Sequence, residues 1–488
     1  MTAPLSISRG WSAKERHKQM GQQSDLQALL NPRAIAVIGA TARPGRVGRI
    51  IFEQLRRSGF SLYPVNPNES DVLGIPACSA VSALPAGEID LAVIAIGAEG
   101  AVTAAEECAR SGIPHIIVVA GGFAEAGPGG KVLEDRLSAI PKITGSRILG
   151  PNTLGVFLPH NRLDTLFVEH GDSALARGGG VAFISQSGSV GVEALGLASN
   201  TGFGMRAFIG LGNKCDLDEI DFLRHFGEDS GTTCLAFYVE SFDRGRDFLE
   251  AARGIAARKP VVVLKAGRSG AGASAVSSHT GRLAGSDRVV GGAFRQFGVQ
   301  RVFDDEALCD AAKTLSVLPV PKGNRVAILT PAGGYGVMAA DHVELHHGPG
   351  RLEMAVLEPA TEARIRAATF PFASCRNPVD LTASANDRMV GDALDALLDD
   401  PNTDMVICTA FFAPPSITDR MVEEIAGRAE NSAKPVIVFT QYGPFTDDYL
   451  RRFHRHGVVG FPSVGRAVRA ARFLAERASI LKNTEAAP

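Results

Sequence analysis

A single imidazole, His279, stands in the stretch AVSSHTGRLAGSD, between two hydroxyl residues and just before Gly281. A neutral imidazole nitrogen is a competent nucleophile near pH 7, so this residue type suits acid–base or covalent chemistry. A histidine in a polar, glycine-containing segment is, however, more often an ordinary surface or capping residue. No neighbouring His or Cys could hold a metal ion with it. The segment therefore offers one candidate nucleophile and no metal site.

Two neighbouring pairs of histidines are weaker candidates. His346 and His347 lie in ELHHGPG, a predicted loop, and His454 and His456 lie in RRFHRHG. Neither pair has Cys or carboxylates at the spacing of metal ligands. We interpret both pairs as solvated surface.

Turns that follow apolar runs provide a second kind of candidate site. The stretches AIAVIGATARPGRVG, GVAFISQSGSVGVEAL and RVAILTPAGGYGVMAA each predict a strand, a Gly- or Ser-containing turn and a helix. Such a turn aims backbone N–H groups at one point near the positive end of a helix, which makes an anion site. A tight strand-to-helix turn needs glycine in any case, so one such loop is weak support. Three of them predict three open α/β sheets, with at least one binding phosphate.

The first of these turns discriminates between cofactors. Its glycines have a G-x5-G-x2-G spacing, longer than the G-x-G-x-x-G of dinucleotide-binding folds: Gly39, Gly45 and Gly48. The next apolar run ends at Asn66, where an NAD site would need Asp or Glu for the ribose hydroxyls. The turn carries three guanidinium groups, which suit a ligand with several phosphates: Arg43, Arg46 and Arg49. We expect CoA rather than NAD, the alternative being that these arginines are solvated residues at a helix start.

The elements that would position these residues follow an α/β pattern. Nearly continuous apolar runs such as LAVIAIG and PVVVLKAGRSG alternate with helical stretches such as RDFLEAARGIAARKP. Such runs are expected when helices cover both faces of a parallel sheet. We predict three consecutive α/β domains at 23–160, 175–320 and 322–478. An N-terminal arm at 1–22, a charged, Gly-containing linker at 158–180 and a tail at 479–488 complete the prediction.

Composition narrows the class of protein. The chain has 488 residues, 45% hydrophobic and 21% charged, and a net charge of −2 gives no electrostatic footprint for nucleic acid. Its seven Cys stand singly, without a CxxC pair, which favours a reduced compartment. No apolar run reaches membrane-spanning length, and the N-terminal stretch lacks the apolar centre of a signal peptide. We expect a cytoplasmic protein that binds neither nucleic acid nor membrane.

Several motifs occur in one order along the chain: VIGATARPGRVGRIIFEQL, YPVNPN, GPNTLGVF, VAFISQSGSVG and SSHTGRLAGSD, with NPVDL later. Together they resemble the nucleoside-diphosphate-forming acyl-CoA synthetases, the superfamily of succinyl-CoA synthetase, from about Leu26 to Ala475. The resemblance is strongest to the α subunits of ADP-forming acetyl-CoA synthetases. It implies a Rossmann-like CoA-binding domain followed by two flavodoxin-like domains, the first of which carries a phosphohistidine.

The resemblance also implies roles for the candidate residues. His279 falls on the family's transiently phosphorylated histidine, and Glu240 matches the glutamate that hydrogen-bonds its second ring nitrogen. A surface glutamate that closes a strand is the alternative for Glu240. The implied phosphate-binding residues are Ser187, Gly188, Ser189 and Gly281. The implied CoA-binding residues are Gly39, Thr41, Arg43, Gly45, Gly48, Asn66, Ile96, Gly97, Gly121, Gly122 and Asn152.

The chain departs from the family pattern at two positions. Asn68 stands where the family often has Lys after the NP pair, which weakens one electrostatic contact with CoA. Thr153 replaces the Cys of GPNC, near the expected position of the CoA thiol, and we expect it to alter the acyl pocket.

Members of this family also need an ATP-grasp module that holds Mg²⁺ and ATP or ADP. No sequence remains for it after three α/β domains, and no G-x-x-x-x-G-K-[ST] loop occurs. The resemblance thus implies a separate ATP-grasp β subunit, an α2β2 assembly or a homodimer of α, and a small carboxylic acid as substrate. The predicted enzyme joins that acid to CoA through phosphohistidine and acyl-phosphate intermediates. The alternatives are a CoA-binding regulatory protein without turnover, an NAD-dependent dehydrogenase, and a CoA-ester enzyme that ignores nucleotides.

Overall fold

Three mainly parallel sheets follow one another along the chain, each with helices on both faces, as the sequence predicts. The computed structural model describes residues 26–168, 178–201, 203–280 and 286–485, with the backbone alone at 199–201, 277–280 and 485. The central strands are buried along their whole length, which explains why their sequences are continuous apolar runs and do not alternate. The α/β class and the three-domain order are confirmed.

The first domain is a five-stranded parallel sheet with a small hairpin beside it. Its strands are β1 (Ala34–Ile38), β2 (Ser61–Val65), β3 (Asp71–Val72), β4 (Ile75–Pro76), β5 (Leu91–Ile94), β6 (His115–Val118) and β7 (Arg147–Leu149). Its helices are α1 (Gln27–Leu30), α2 (Val47–Arg56), α3 (Ala98–Arg110) and α4 (Pro128–Thr144), with 3-10 turns at Val81–Ala83 and Ala124–Ala126. The strand order β2-β1-β5-β6-β7 reverses between β1 and β5. Ligands of open α/β sheets bind outside the carboxyl ends of the strands at such a reversal.

The second domain is a seven-stranded sheet in the order β14-β13-β12-β10-β11-β8-β9. Its strands are β8 (Val156–Leu158), β9 (Leu163–Asp164), β10 (Gly178–Ser185), β11 (Met205–Gly210), β12 (Cys234–Val239), β13 (Val261–Lys265) and β14 (Gln300–Val302). Its helices are α5 (Gly188–Thr201), α6 (Glu219–Glu228), α7 (Gly245–Ala256), α8 (Gly270–Thr280), α9 (Asp287–Gln296) and α10 (Asp305–Val317). Here the order reverses at β10, so the ends of β10 and β12 form the second expected ligand position.

One edge strand of this sheet, β9, lies where the sequence predicts a linker, and β8 directly precedes that segment. Strand β8 pairs antiparallel with β11, and β9 pairs antiparallel with β8. The linker interpretation of 158–180 is therefore wrong for its first residues. The boundary predicted at residue 160 falls between these two strands. Short antiparallel edge strands flanked by polar residues carry too little apolar pattern to be recognised from sequence.

The third domain repeats the layered design. Its strands are β15 (Arg325–Thr330), β16 (Glu353–Met354), β17 (Val379–Asp380), β18 (Met405–Thr409), β19 (Val436–Phe439) and β20 (Val459–Phe461). Its helices are α11 (Gly333–Glu344), α12 (Pro359–Ala368), α13 (Asp387–Asp399), α14 (Arg420–Glu430), α15 (Thr446–Arg455) and α16 (Val464–Glu485), with a 3-10 turn at Gly443–Phe445. The order is β16-β15-β18-β19-β20, and β17 pairs with the carboxyl end of β15.

The domains share hydrophobic cores. One cluster joins residues of the second and third domains, including Phe183, Leu308 and Phe461, and another joins the first and second, including Phe52 and Phe226. Helix α10 packs against α16, and α5 packs against α15. These shared cores hold the carboxyl edges of the sheets in one relative position. No helix among the described residues is long and apolar enough to cross a bilayer.

Candidate active site

The turn after β1 is shaped by two glycines that no larger residue could replace without movement. Gly39 has φ +89°, and a Cβ atom there would overlap Ile96. A Cβ on Gly48 would overlap the carbonyl oxygen of Gly39, so α2 approaches the turn backbone directly. The side chain of Asn66 donates to the carbonyl of Ala40 at 2.8 Å. The predicted CoA-binding positions on β1, β2 and β5 therefore meet at the reversal of strand order.

A carboxylate that sequence reasoning missed lies against the same turn. Glu69 accepts hydrogen bonds from the hydroxyl of Thr41 and from the backbone N–H of Ala42, the latter at 2.8 Å. The Thr41 hydrogen bond is the main cause that lowers the pKa of Glu69 below its usual range. Glu69 follows the end of β2 by only a few residues, but both its oxygens face the turn. Glu69 therefore does not point towards a ligand, as the acidic residue that binds the ribose hydroxyls of NAD would.

The three arginines of this turn have different surroundings. Arg49 donates to the carbonyl of Ala42 and to Glu53, the latter at 2.8 Å, so it braces the turn. The side chain of Arg43 is 70% exposed and lies 3.7 Å from Glu69, and Arg46 is also exposed. Arg43 and Arg46 are thus the two exposed arginines of this turn, and Arg49 is half-buried.

The loops after β6 and β7 are joined to the second domain. The carboxylate of Glu125 accepts from the backbone N–H of Gly122 at 2.6 Å and from the side chain of Asn213 at 2.5 Å. The side chain of Asn152 donates to Asn213 at 3.3 Å, and a Cβ on Gly121 would contact Asn152. The predicted residues Gly121, Gly122 and Asn152 therefore form one group, which Glu125 and Asn213 connect.

Thr153 lies in the junction between the first two domains. It is buried, and its hydroxyl donates to the carbonyl of Gly210 at 2.5 Å while accepting from the N–H of Gly155 at 3.0 Å. Both hydrogen-bond partners of the Thr153 hydroxyl belong to the junction between the two domains. A role of Thr153 in an acyl pocket stays a prediction that these contacts do not support.

Hydroxyl groups gather at the start of α5, directly after β10. The hydroxyls of Ser187 and Ser189 lie 3.1 Å apart, and Ser185 donates to the carbonyl of Ser187 at 2.6 Å. Gly188 is the first residue of α5. Because the N-terminal N–H groups of a helix and its dipole attract anions, this turn can hold a phosphate.

Glu240 lies at the end of the adjacent strand, β12. It is only 5% exposed, so its interpretation as a surface residue is wrong. The hydroxyl of Tyr238 donates to it at 3.5 Å, and burial together with this carboxylate raises the pKa of Tyr238 to about 12. A buried carboxylate beside the start of α5 is suited to orient a histidine ring and to stabilise its cationic form.

The segment that carries His279 is helical, although a flexible loop is the natural expectation from its Gly and Ser content. Helix α8 runs to Thr280, so His279 belongs to its last turn. The hydroxyl of Ser269 accepts from the N–H of Gly272 at 3.0 Å and caps the helix, and alternating alanines favour its continuation. Helix α8 contacts the 3-10 turn Ala124–Ala126 of the first domain. The His279 side chain and Gly281 lie outside the described part of the chain.

A cleft of about 630 Å³ opens beside β12 and β13. Tyr238, Lys265, Arg268 and Phe303 are among its lining residues. Burial lowers the pKa of Lys265. The first turn of α8 also lines this cleft, so the helix that bears His279 extends from the cleft towards the first domain.

The third strand–turn–helix unit holds a carboxylate of its own. A Cβ on Gly333, the first residue of α11, would overlap Asp380 of the NPVDL motif. Asp380 is therefore seated at the start of that helix, where an external anion would otherwise lie. This unit is the weakest of the three candidates for phosphate binding.

The two histidine pairs fit the surface interpretation, with one exception. His347 and His456 are exposed, and His346 accepts from the N–H of Gly348 at 3.1 Å within the predicted loop. Both ring nitrogens of His454 are buried, and burial lowers its pKa to about 2, so the surface interpretation of His454 is wrong. The described residues contain no group of three or more His, Cys, Asp or Glu placed to hold a metal ion.

Family models cover nearly all of the described chain. They match a CoA binding domain at 33–159, a succinyl-CoA ligase-like flavodoxin domain at 178–315 and a ligase-CoA domain at 326–481. These ranges follow the three sheets in order.

Curated relatives and a solved structure cover almost the whole chain. The alpha subunit of acetate–CoA ligase [ADP-forming] II from Pyrococcus furiosus is 35% identical over 93% of this chain and 98% of its own length. Acetate–CoA ligase [ADP-forming] I from Archaeoglobus fulgidus is 34% identical over 93% of this chain but only 64% of its own length. The dinucleotide-forming acetyl-coenzyme A synthetase 1 of Ca. Korarchaeum cryptofilum, solved with phosphate and ADP, matches with TM-score 0.87 and 32% identity over 95% of this chain and 100% of that chain. On this coverage and identity, the chain belongs to the ADP-forming acetate–CoA ligase family.

Proposed function

We propose that this chain is the α subunit of an ADP-forming acyl-CoA synthetase, which joins a small carboxylic acid to CoA as ATP becomes ADP and phosphate. The observation that carries the proposal is a single arrangement of three elements. The Ser187–Ser189 turn and buried Glu240 follow the two strands at the reversal point of the second sheet. Residues of α5, β12 and the first turn of α8 line one cleft, and α8 contacts the 3-10 turn Ala124–Ala126.

His279 would carry the phosphoryl group between nucleotide and acid. Its neutral nitrogen attacks the γ-phosphorus, so a P–N bond forms as the bond to ADP breaks. A carboxylate oxygen of the acid then takes the phosphoryl group, which frees the imidazole and gives an acyl phosphate. The CoA sulfur, after losing its proton, attacks the carbonyl and releases inorganic phosphate. Glu240 would orient the ring, and the Ser187–Ser189 turn would hold the phosphoryl oxygens.

The first domain would bind CoA. The glycine-shaped turn of Gly39 and Gly48 brings backbone close to a ligand, and exposed Arg43 and Arg46 can reach its phosphates. Both oxygens of Glu69 are engaged with the turn, so this acid does not supply the ribose contact of an NAD site. Calorimetry on the full chain should find CoA binding that weakens with added salt. Equal or tighter binding of NAD would contradict this assignment.

The nucleotide would be held by a separate partner, an ATP-grasp β subunit with Mg²⁺. In support, the chain covers 98% of an alpha-subunit relative but only 64% of the longer Archaeoglobus relative. Phosphoryl transfer depends almost wholly on positioning of the nucleotide. An α2β2 assembly or an α homodimer belongs to the same proposal, and the mass of the reconstituted complex in solution would decide between them.

Reconstitution tests the proposed function. The full chain is mixed with an ATP-grasp partner from an ADP-forming acetate–CoA ligase, together with ATP, CoA and a panel of small carboxylic acids. We expect thioester and ADP to form in equal amounts for at least one acid, and neither to form when the partner is omitted. CoA binding without thioester under every condition would instead identify a regulatory protein. Thioester formation that does not need nucleotide would identify a different CoA-ester enzyme.

A further inference from the structure

Gln186 lies between the two groups that the proposed phosphoryl transfer uses. It is 6% exposed and directly precedes Ser187. Its side-chain oxygen accepts hydrogen bonds from the backbone N–H groups of Glu240, at 2.9 Å, and Ser241, at 3.3 Å. Its backbone N–H donates to the carbonyl of Tyr238 at 2.9 Å. The end of β12 is therefore attached to Gln186 at three points.

A second buried side chain holds the same stretch from the other side. The Lys214 ammonium donates to the carbonyl of Ser241 at 2.7 Å and pairs with Glu219 at 3.0 Å, and both charged side chains are fully buried. The backbone that carries Glu240 is thus bound by Gln186 through its N–H groups and by Lys214 through a carbonyl. Glu240 has little freedom to change its position relative to the start of α5.

The amide nitrogen of Gln186 is a buried donor that finds no acceptor among the described residues. The orientation of the Gln186 amide is settled by its contacts with Glu240 and Ser241. Both of these backbone N–H groups donate, so the atom that they contact must be the side-chain oxygen. Buried donors in native proteins are almost always paired, so one left over beside a candidate site suggests an acceptor that arrives with a ligand.

The surroundings indicate that this acceptor is anionic. The start of α5 presents helix N–H groups and the hydroxyls of Ser187 and Ser189. In the other two strand–turn–helix units a carboxylate of the chain, Glu69 or Asp380, already occupies the turn. Within the described contacts, no carboxylate is hydrogen-bonded to the turn that follows Gln186.

We propose that Gln186 is a further catalytic residue, which serves the transfer through both ends of its amide. The oxygen places Glu240, and the nitrogen donates to an oxygen of the phosphoryl group held at the start of α5. One planar group then couples the carboxylate that orients the imidazole to the group being transferred. This inference rests on the proposed function of the site.

Two substitutions separate the two ends of the amide. Gln186→Met keeps the length of the side chain and removes both the acceptor and the donor. Gln186→Glu keeps an acceptor for the N–H groups of Glu240 and Ser241 but puts a carboxylate where the donor was. Gln300→Met is the matched control, since Gln300 is a buried glutamine at the start of β14, far from the carboxyl edge, and donates to the carbonyl of Phe473 at 3.0 Å.

The measurement is the rate of acid-labile labelling of the chain by γ-labelled ATP in the complex with the ATP-grasp partner. We expect both Gln186 variants to label about tenfold or more slowly at pH 8, and Gln300→Met to label at the wild-type rate. The deficit of Gln186→Glu relative to wild type should narrow towards pH 6, because a protonated carboxyl regains a donor. A purely structural role would not produce this pH dependence.

Binding of inorganic phosphate to the full chain, measured by calorimetry, adds a readout that needs no turnover. It should weaken in both Gln186 variants, while CoA binding stays unchanged. If Gln186→Met labels at the wild-type rate, the proposal that the Gln186 oxygen positions Glu240 is wrong. A Gln186→Glu variant equal to wild type at pH 8 overturns the donor role. If the wild-type complex itself does not label, the proposed function fails as well, which distinguishes the two failures.

Discussion

At the scale of single residues, the site depends on side chains that are buried yet polar. Glu240 is 5% exposed and Gln186 is 6% exposed. Polar groups in such surroundings persist only with hydrogen-bond partners, so each contact constrains where the side chain can lie. Glu240 and Gln186 can therefore adopt fewer positions than exposed glutamate and glutamine side chains can.

Replacing Glu240 by Gln should separate folding from chemistry. The amide has the same shape, so we expect Glu240→Gln to fold and to bind CoA with unchanged affinity. A neutral amide cannot stabilise a cationic ring as a carboxylate can, so labelling by ATP in the complex should slow by about 100-fold or more. Glu476→Gln, at the contact with Gln300, is the control and should label normally. Unchanged labelling of Glu240→Gln would remove Glu240 from the mechanism.

Sequence reasoning found Glu240 and Ser187–Ser189 because they lie in recognisable motifs. It missed Gln186 and Lys214, although Gln186 lies inside one of those motifs. Their importance comes from hydrogen bonds to Glu240 and Ser241, at separations of 54 and 27 positions. Contacts with distant backbone leave no local pattern in a sequence, so only the fold reveals them.

At the scale of elements, the apolar runs predicted the strands well. Strands such as β1, β5 and β18 are buried on both faces, which is why their sequences carry an unmistakable signal. The signal fails where a strand is too short to show an apolar run. Strand β9 has only two residues and lies in the segment predicted to be a linker, and α8 forms although its glycine and serine content favours a loop. In both cases tertiary packing decides the structure and local preference does not.

The turn after β1 should tolerate no side chain at Gly48. A Cβ there would overlap the carbonyl oxygen of Gly39, which backbone movement alone can relieve. We expect Gly48→Ala to lower the stability of the chain by about 1–3 kcal/mol and to weaken CoA binding. Gly129→Ala is the control, since Gly129 has open space around it in the first turn of α4. Thermal unfolding and CoA calorimetry on both variants give the comparison, and equal behaviour would refute the close approach.

At the scale of the whole molecule, a buried lysine joins the second and third domains. Lys313 of α10 donates to the carbonyl of Gly460 at 2.6 Å and lies 4.5 Å from the ring of Phe461. Burial lowers its pKa to about 7. Between about pH 7 and the ordinary pKa of a lysine, Lys313 is therefore protonated in the unfolded chain and neutral in the folded chain. Stability should rise with pH across that window.

Removing this lysine should flatten that dependence. We expect the free energy of unfolding of Lys313→Met to lose a slope of up to about 1.4 kcal/mol per pH unit between pH 7 and 10. Exposed Lys482 of α16 provides the control, and Lys482→Met should keep the wild-type slope. Denaturant unfolding at several pH values measures both. A wild-type slope retained in Lys313→Met would show that Lys313 is charged in the folded chain.

The identity of the phosphorylated residue tests the proposed phosphohistidine mechanism. The full chain, its ATP-grasp partner and γ-labelled ATP are combined, and the labelled chain is examined for acid lability and base stability. We expect one acid-labile, base-stable phosphoryl group, absent from His279→Ala and His279→Asn, which should bind CoA as well as wild type does. That lability distinguishes phosphohistidine from phosphoserine at the adjoining Ser277 and Ser278. Label retained by either His279 variant would contradict the mechanism, and efficient labelling of the chain without its partner would contradict the two-subunit reading.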